Sequence, residues 1–475
     1  MNITTLTTGS ILLVGLSTNG ILAANPQKQQ KPNLIYVFAD QLRSQALSIN
    51  GDPNVKDPNI KAFANEAINI HNTFSCVPVS TPYRASMMTG QYALTNGVFV
   101  NDVQLNPKAN TIGKIYKKAG YETGYIGKWH INGHGRSSYI KPEWRQGFDY
   151  FKVLECTHNY MHSAYYDNND TNKKYWKGYD AIAETKDAIS YIKSKANKSK
   201  PFVLFLSWGS PHNPYDQQPQ KYKDIYKNMK LKLRKNVPIE KRDQAIKWLK
   251  GYYAHISALD DCIGMLRNAV KDLGIDENTI FVFTSDHGDQ LMSHALKAKQ
   301  KPYDESICVP FLIRYPNKLG EKGKRSEMIL STPDILPTLL GLSDIKVPKT
   351  IEGKDLSKIL MGKKKDDTKA ALIECIQPFG EWRKSTGGKE YRGLRTRRYT
   401  YVKSLNGPWL LYDNIKDPYQ LNNLVNKTEY DSIQKQLDKE LMKLLKKQGD
   451  EFKPGLYYIN KWGYKIDKNG TVPYH

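Results

Sequence analysis

Three unbroken apolar stretches constrain the fold of this 475-residue chain more than any other feature. They are Asn33-Leu34-Ile35-Tyr36-Val37-Phe38-Ala39, Pro201-Phe202-Val203-Leu204-Phe205-Leu206-Ser207 and Thr279-Ile280-Phe281-Val282-Phe283-Thr284-Ser285. A strand with one wet face alternates apolar and polar residues. Runs that are apolar throughout belong to strands covered on both sides, as in a parallel sheet between layers of helices. Helical spacing fills the intervals, at Asn59 to Asn69, Thr111 to Ala119, Tyr179 to Lys193, Lys241 to Leu273 and Asp334 to Leu340. The alternation predicts an α/β fold, a doubly wound and mostly parallel sheet flanked by helices. Ligands of such sheets sit beyond the carboxyl ends of the strands. Polar residues stand there: Asp40-Gln41 after the first run, His212 shortly after the second, and Asp286-His287 after the third.

Beyond about residue 365 the texture changes. Short strand-like segments, Ala371 to Ile376, Tyr391 to Arg397, Tyr399 to Lys403 and Trp409 to Tyr412, are separated by Gly387-Gly388 and Asn406-Gly407 and followed by a helical pattern from Thr428 to Lys447. Asn-Gly between strands is a hairpin signal. The expected organisation is an N-terminal α/β domain, 25–365, and a smaller α+β subdomain, 366–475, with an antiparallel sheet and a packing helix.

Residues 1–24 read as an export signal, because the short apolar segment Ile11 to Leu16 is followed by Ala23-Ala24 and a polar tether. The first Lys is Lys28, so the usual positive n-region is missing. A periplasmic or secreted protein is expected. No stretch reaches the roughly 18–20 apolar residues of a membrane span. Five scattered cysteines without a Cys-x-x-Cys pair point to single buried thiols rather than a disulfide framework. An excess of 71 Lys and Arg over 47 Asp and Glu, +24, biases the chain toward anionic partners. No nucleic-acid-reading motif accompanies it, most of the lysines read as a solvated face, and the charge sets a bias toward polyanionic partners and no more.

The segment Ser80-Thr81-Pro82-Tyr83-Arg84 sets a small hydroxyl four residues before a guanidinium. A helix beginning near Pro82 would carry Pro in its first turn and favour developing negative charge near Ser80. The plainer reading is that Ser80 or Thr81 only caps that helix.

Further segments place cations and imidazoles together: Gly127-Lys128-Trp129-His130, Ser210-Pro211-His212-Asn213-Pro214, Thr284-Ser285-Asp286-His287-Gly288, and Lys299 and Lys301 before Pro302-Tyr303-Asp304-Glu305. With Thr332 to Leu340, Glu352 to Leu356 and Leu411-Tyr412-Asp413, their order resembles the type I sulfatase family of the alkaline-phosphatase-like superfamily, from about Pro32 to about Leu424. The resemblance makes 25–365 the catalytic domain. It implies a formylglycine (3-oxoalanine) nucleophile made from Ser80, at the head of a C/S-x-P-x-R motif completed by Pro82 and Arg84. Cys76 does not qualify, since the fourth residue after it is Ser80. A Ser head implies maturation by a radical-SAM enzyme of the kind found in anaerobic bacteria.

By the same resemblance Lys128 and Lys299 contact sulfate, Arg84 holds the modified residue, His130 takes the proton when sulfate is eliminated, and His212 protonates the leaving alcohol. Imidazoles titrating near neutrality would suit those roles. Counting four back from Tyr303 gives Lys299, with Lys301 as the alternative. Asp40, Gln41, Ser80, Asp286 and His287 form the implied metal site, for calcium or alternatively magnesium. Gln41 and His287 stand where many members carry Asp and Asn. For substrate contact the candidates are His158, His162, Trp208, Trp382 and Arg383, aromatic and cationic groups suited to a sulfated sugar of an oligo- or polysaccharide. The sugar is expected to be a sulfated galactose or N-acetylgalactosamine. Two other classes compete: a phosphatase or phosphodiesterase of the same superfamily, which would need a second set of metal ligands, and a non-catalytic binder of sulfated glycans.

Overall fold

The computed structural model describes residues 1, 5–6, 31–196 and 198–474. Apart from Met1, Thr5 and Leu6, the expected export segment lies outside the described residues. Lys31–His475 forms one compact unit.

Ten strands build the main sheet: β1 Asn33–Asp40, β2 Ile68–Phe74, β3 Glu122–Lys128, β4 Tyr150–Leu154, β5 Ala164–Asp167, β6 Lys174–Tyr175, β7 Phe202–Pro211, β8 Thr279–Ser285, β9 Phe311–Arg314 and β10 Lys324–Ser331. Their order is β10-β2-β9-β8-β1-β7-β3-β4-β5-β6. The three apolar runs lie side by side as β8-β1-β7, all parallel. Residues of β1 alternate between two apolar layers: Leu34, Tyr36 and Phe38 pack on one face, Ile35, Val37 and Ala39 on the other. Both layers are apolar, so the run is too. Helices Asp180–Ala196 and Arg242–Asp272 cover the second face through stripes such as Ala181, Ala188 and Ile192, and Ala245, Leu249, Ile256 and Ile263.

One sequence expectation changes, and the mostly parallel sheet carries antiparallel members. The pattern from Asn59 to Asn69 is a helix only over Pro58–Ala64, and Ile68 already belongs to β2. Alternation in Ile68-Asn69-Ile70 is strand-like, and the parallel pairing with β10 captures it. Strand β9 enters antiparallel between β2 and β8, so the sheet is mixed at that edge and at β5 and β6.

A second sheet, β11 Ala370–Cys375, β12 Tyr391–Thr396, β13 Tyr399–Ser404 and β14 Gly407–Asp413, is antiparallel throughout. Asn406-Gly407 makes the β13–β14 turn with Gly407 at φ 105°, a left-handed conformation that glycine tolerates. One face packs on helix Asp431–Lys447 through Leu437, Leu441 and Leu445, and the other on Phe74, Ile307 and Ile329 of the larger part. All five cysteines are buried and free. Among the described residues no helix is long and apolar enough to cross a membrane.

Strand register decides where the chemistry gathers. Asp40 is level with Pro211, and Ala39 with Ser285, so Asp40, His212 and Asp286 emerge along one carboxyl edge.

Candidate active site

Ser80 opens a helix, Ser80–Thr89, whose every residue is buried. The capping reading fails, because Val79 occupies the cap position, the Thr81 hydroxyl finds no partner among the described residues, and Ser80 Oγ turns away. It lies 3.1 Å from His287 Nε2 and 3.4 Å from Asp40 Oδ2. Arg84, one helical turn on, donates from Nη1 to Ser207 Oγ at 2.6 Å and to the Lys128 carbonyl at 2.9 Å. From Nη2 it reaches Asp40 and Asp286 at 3.3 and 3.4 Å. That fork ties the helix start to the middle of β7 and to the ends of β1, β3 and β8.

Asp40, Asp286 and His287 each bring a ligand atom within 4.8 Å of the others, all fully buried. Burial pushes the Asp40 carboxyl up, but Lys128, His212, Lys299 and His287 together hold it well below its usual range. Its Oδ1 has no hydrogen-bond partner among the described residues. His287 donates Nδ1–H to the Gly288 carbonyl at 3.0 Å. That bond leaves the Nε2 lone pair facing the two carboxylates, the way a ligating imidazole is normally oriented. Two carboxylates, one of them with an orphaned buried oxygen, and one oriented imidazole fit a divalent cation. Gln41 is adjacent, its backbone N–H on Asp286 Oδ1 at 2.9 Å. Its side chain is engaged elsewhere, accepting from Lys299 at 3.0 Å and donating to Asp289 at 2.6 Å.

Lys128 ends β3 and its ammonium bonds Asp40 Oδ2. The preceding Gly127, at φ 98°, is required there: a Cβ would meet the Ser207 carbonyl oxygen at 2.1 Å. Lys299 points to the same place, donating to His212 Nε2 at 2.7 Å. Lys301 does not; it bonds the Lys297 carbonyl, lies over the Trp382 ring, and burial lowers its ammonium to about 8. The count from Tyr303 therefore selects the lysine that enters the site.

His212 follows β7 and donates Nδ1–H to the Asn213 carbonyl at 2.8 Å, so Nε2 accepts from Lys299. Burial and then Lys299 hold this imidazole well below its ordinary range, against Asp40. His130 behaves alike: burial and Lys128 push it to about 3, although Asp102, 3.0 Å from Nε2, opposes them. The expectation of imidazoles titrating near neutrality fails here because both are desolvated beside ammonium groups.

Above these groups opens a cavity of about 690 Å³, with Lys128, His130, His212 and Lys299 in its lining. Of the five substrate candidates His158 alone lines it, stacked on His212 with ring centroids 4.8 Å apart. His162 stacks on Tyr175 outside it. Trp208 is a correction: β7 runs on to Pro211, which sets this indole in the core, fully buried with Nε1 on Thr185 Oγ1. Trp382 is buried on the second sheet, and Arg383 folds back on the Gly380 carbonyl. The cavity instead takes Tyr215, Lys247-Trp248, Arg136, Asp102 and Glu381. Lys247-Trp248 is the aromatic-plus-cation signal sought in loops, but it sits on a helix. Nothing local in the sequence marks Asp102 or Arg136.

The comparisons agree with this geometry. A model described as "Sulfatase" matches residues 32–345, and one described as "N-sulphoglucosamine sulphohydrolase, C-terminal" matches 293–447. An ulvan-active sulfatase of Formosa agariphila is 44% identical over 94% of this chain and 87% of its own length. An endo-4-O-sulfatase of Bacteroides thetaiotaomicron is 31% identical over 89% of this chain and 94% of its own. A protein solved with its substrate D-glucosamine-2-N,6-O-disulfate superposes with a TM-score of 0.80 at 26% identity, covering 90% of this chain and 99% of that one. With the site's buried Ser-x-Pro-x-Arg head and its ring of cations, these matches lead to one conclusion: the chain belongs to the sulfatase family, hydrolases of sulfate esters.

Proposed function

We propose that the chain desulfates a sulfated oligo- or polysaccharide, outside the cytoplasm, after a radical-SAM enzyme has converted Ser80 to formylglycine. The observation that carries the reading is the convergence of Lys128, Lys299 and Arg84 on the buried Ser80–Asp40–His287 cluster, with Lys128 and Lys299 also lining a cavity of about 690 Å³. An anionic ester is attacked only where cations offset its charge. Lys128 and Lys299 supply that offset and orient the sulfate oxygens, while Arg84 keeps the helix start fixed.

Formylglycine, when present, supplies a hydrated aldehyde with one hydroxyl for attack on sulfur and a second whose proton must be lost to release sulfate. His130 takes that proton at Nδ1, its Nε2 being committed to Asp102. His212 Nε2 holds no proton of its own, so as the sugar oxygen–sulfur bond breaks the Lys299 ammonium passes its proton through Nε2 to the departing oxygen, and the neutral amine regains one from water. Asp40, Asp286 and His287, with residue 80, would hold one divalent cation, calcium before magnesium, which would add positive charge beside the sulfate; Gln41, expected as a further ligand, backs the site through its N–H on Asp286 while its side chain serves Lys299 and Asp289. Tyr215 and Trp248 offer ring faces for the sugar, with Lys247, Arg136 and His158 beside them. The relatives' names, ulvan-active and endo-4-O, support a polysaccharide; galactose and N-acetylgalactosamine sulfates are the first arms of the test.

The matured protein, incubated with a panel of sulfated mono- and oligosaccharides, should release sulfate from at least one saccharide and carry one divalent ion per chain by metal analysis. Release of phosphate from phosphate esters together with two tightly held ions per chain would favour the phosphatase alternative. Tight saccharide binding without any sulfate release would favour the binder.

A further inference from the structure

Asp102 and His130 both adopt left-handed backbone conformations, at φ 67° and 54°, a region that Asp and His visit more readily than most residues. The Asp102 side chain is met by a distant part of the chain. Asp467, Gly470 and Thr471 form a tight turn, the Asn469 carbonyl accepts from Gly380 N at 3.0 Å, and Val472 is buried in the first apolar layer. This anchoring delivers Tyr474 to Asp102 and Arg136, two residues that line the cavity. Its hydroxyl bonds Asp102 Oδ1 and accepts from Arg136 Nε at 3.3 Å, and the Arg136 guanidinium lies 5.6 Å from the ring centre. Arg136 Nη2 also reaches Asp102 Oδ2 at 3.4 Å. A carboxylate bound in this way is acceptor-only, and His130 Nε2 must present a proton to it. The other ring nitrogen, Nδ1, is then the lone-pair atom, buried and without a partner among the described residues.

We propose that Tyr474 is a positioning residue: with Arg136 it locks Asp102, and through Asp102 it holds His130 as the Nε2–H tautomer with Nδ1 turned to the reacting centre. The proposal rests on His130 being the base of sulfate release. Arg136 also borders the cavity, so the lock couples the shape of the substrate wall to the orientation of the base.

The test compares Tyr474→Phe, which removes one oxygen and keeps the ring, with His130→Ala. In the unmodified protein, ¹⁵N NMR of the His130 ring should show the Nε2–H tautomer, and Tyr474→Phe should shift it toward a mixture. In the matured protein the same variant should lower kcat for sulfate release about tenfold, a fraction of what proton transfer contributes, with KM little changed. Asp102→Asn should move the tautomer signal further in the same sense. An unaltered tautomer and kcat in Tyr474→Phe, with His130→Ala inactive, would overturn the positioning role. Full activity in His130→Ala would overturn the underlying assignment of the base instead.

Discussion

Ser80→Ala is expected to eliminate saccharide desulfation, a loss on the order of 10⁶-fold, as when an enzyme loses its covalent nucleophile. The protein should nonetheless fold. Ser80 does not cap its helix, its hydroxyl makes only contacts at 3.1 and 3.4 Å, and Ala is well suited to a helix interior, so the stability change should stay within about 1 kcal/mol. Lys128, Lys299 and Arg84 remain, and with them the capacity to bind a sulfated saccharide. Calorimetry should therefore find binding with turnover gone. Loss of binding in parallel with turnover would assign Ser80 a structural role.

His212→Ala should separate substrates by leaving group. The Lys299 ammonium donates to His212 Nε2 at 2.7 Å, so the proton rests on Lys299 and the pair is placed to hand it through Nε2 to a departing alcohol. A sugar alkoxide is a poor leaving group, and losing its acid should slow cleavage about 10²–10⁴-fold. A phenol of an activated aryl sulfate leaves without help, and its cleavage should fall far less. Single-turnover cleavage rates decide the matter. Equal losses on both substrates would leave His212 as a sulfate-binding or structural residue. His130→Ala, acting after the alcohol has gone, should depress steady-state release from both alike.

What could be read from the residues was whatever chain-local physics enforces. Asp40 and Asp286 follow apolar runs that had to be interior strands, and parallel register then brings those run ends together. Ser80, Lys128 and His212 were legible only through the order of several short motifs that together resemble a known family; taken alone, each motif fits an ordinary cap or loop. Trp208 was misplaced because Ser207-Trp208-Gly209-Ser210 lacks the apolar continuity of a strand, yet pairing extends β7 through it to Pro211. Asp102 and Tyr474 escaped altogether. Their contact spans 372 residues and depends on where a turn at Asp467 docks, which no periodicity encodes. The shifts of His130 and His212 were likewise beyond composition, because desolvation and neighbouring ammonium groups exist only once the fold has gathered them.

The central claim is that residue 80 works only after oxidation. Intact-mass and peptide spectrometry on preparations matured to different extents, each assayed for sulfate release from one saccharide, measures this directly. The account predicts that residue 80 of active protein is two hydrogens lighter than Ser, and that activity rises in proportion to that fraction. Full activity from a preparation in which residue 80 is wholly unmodified Ser would contradict it.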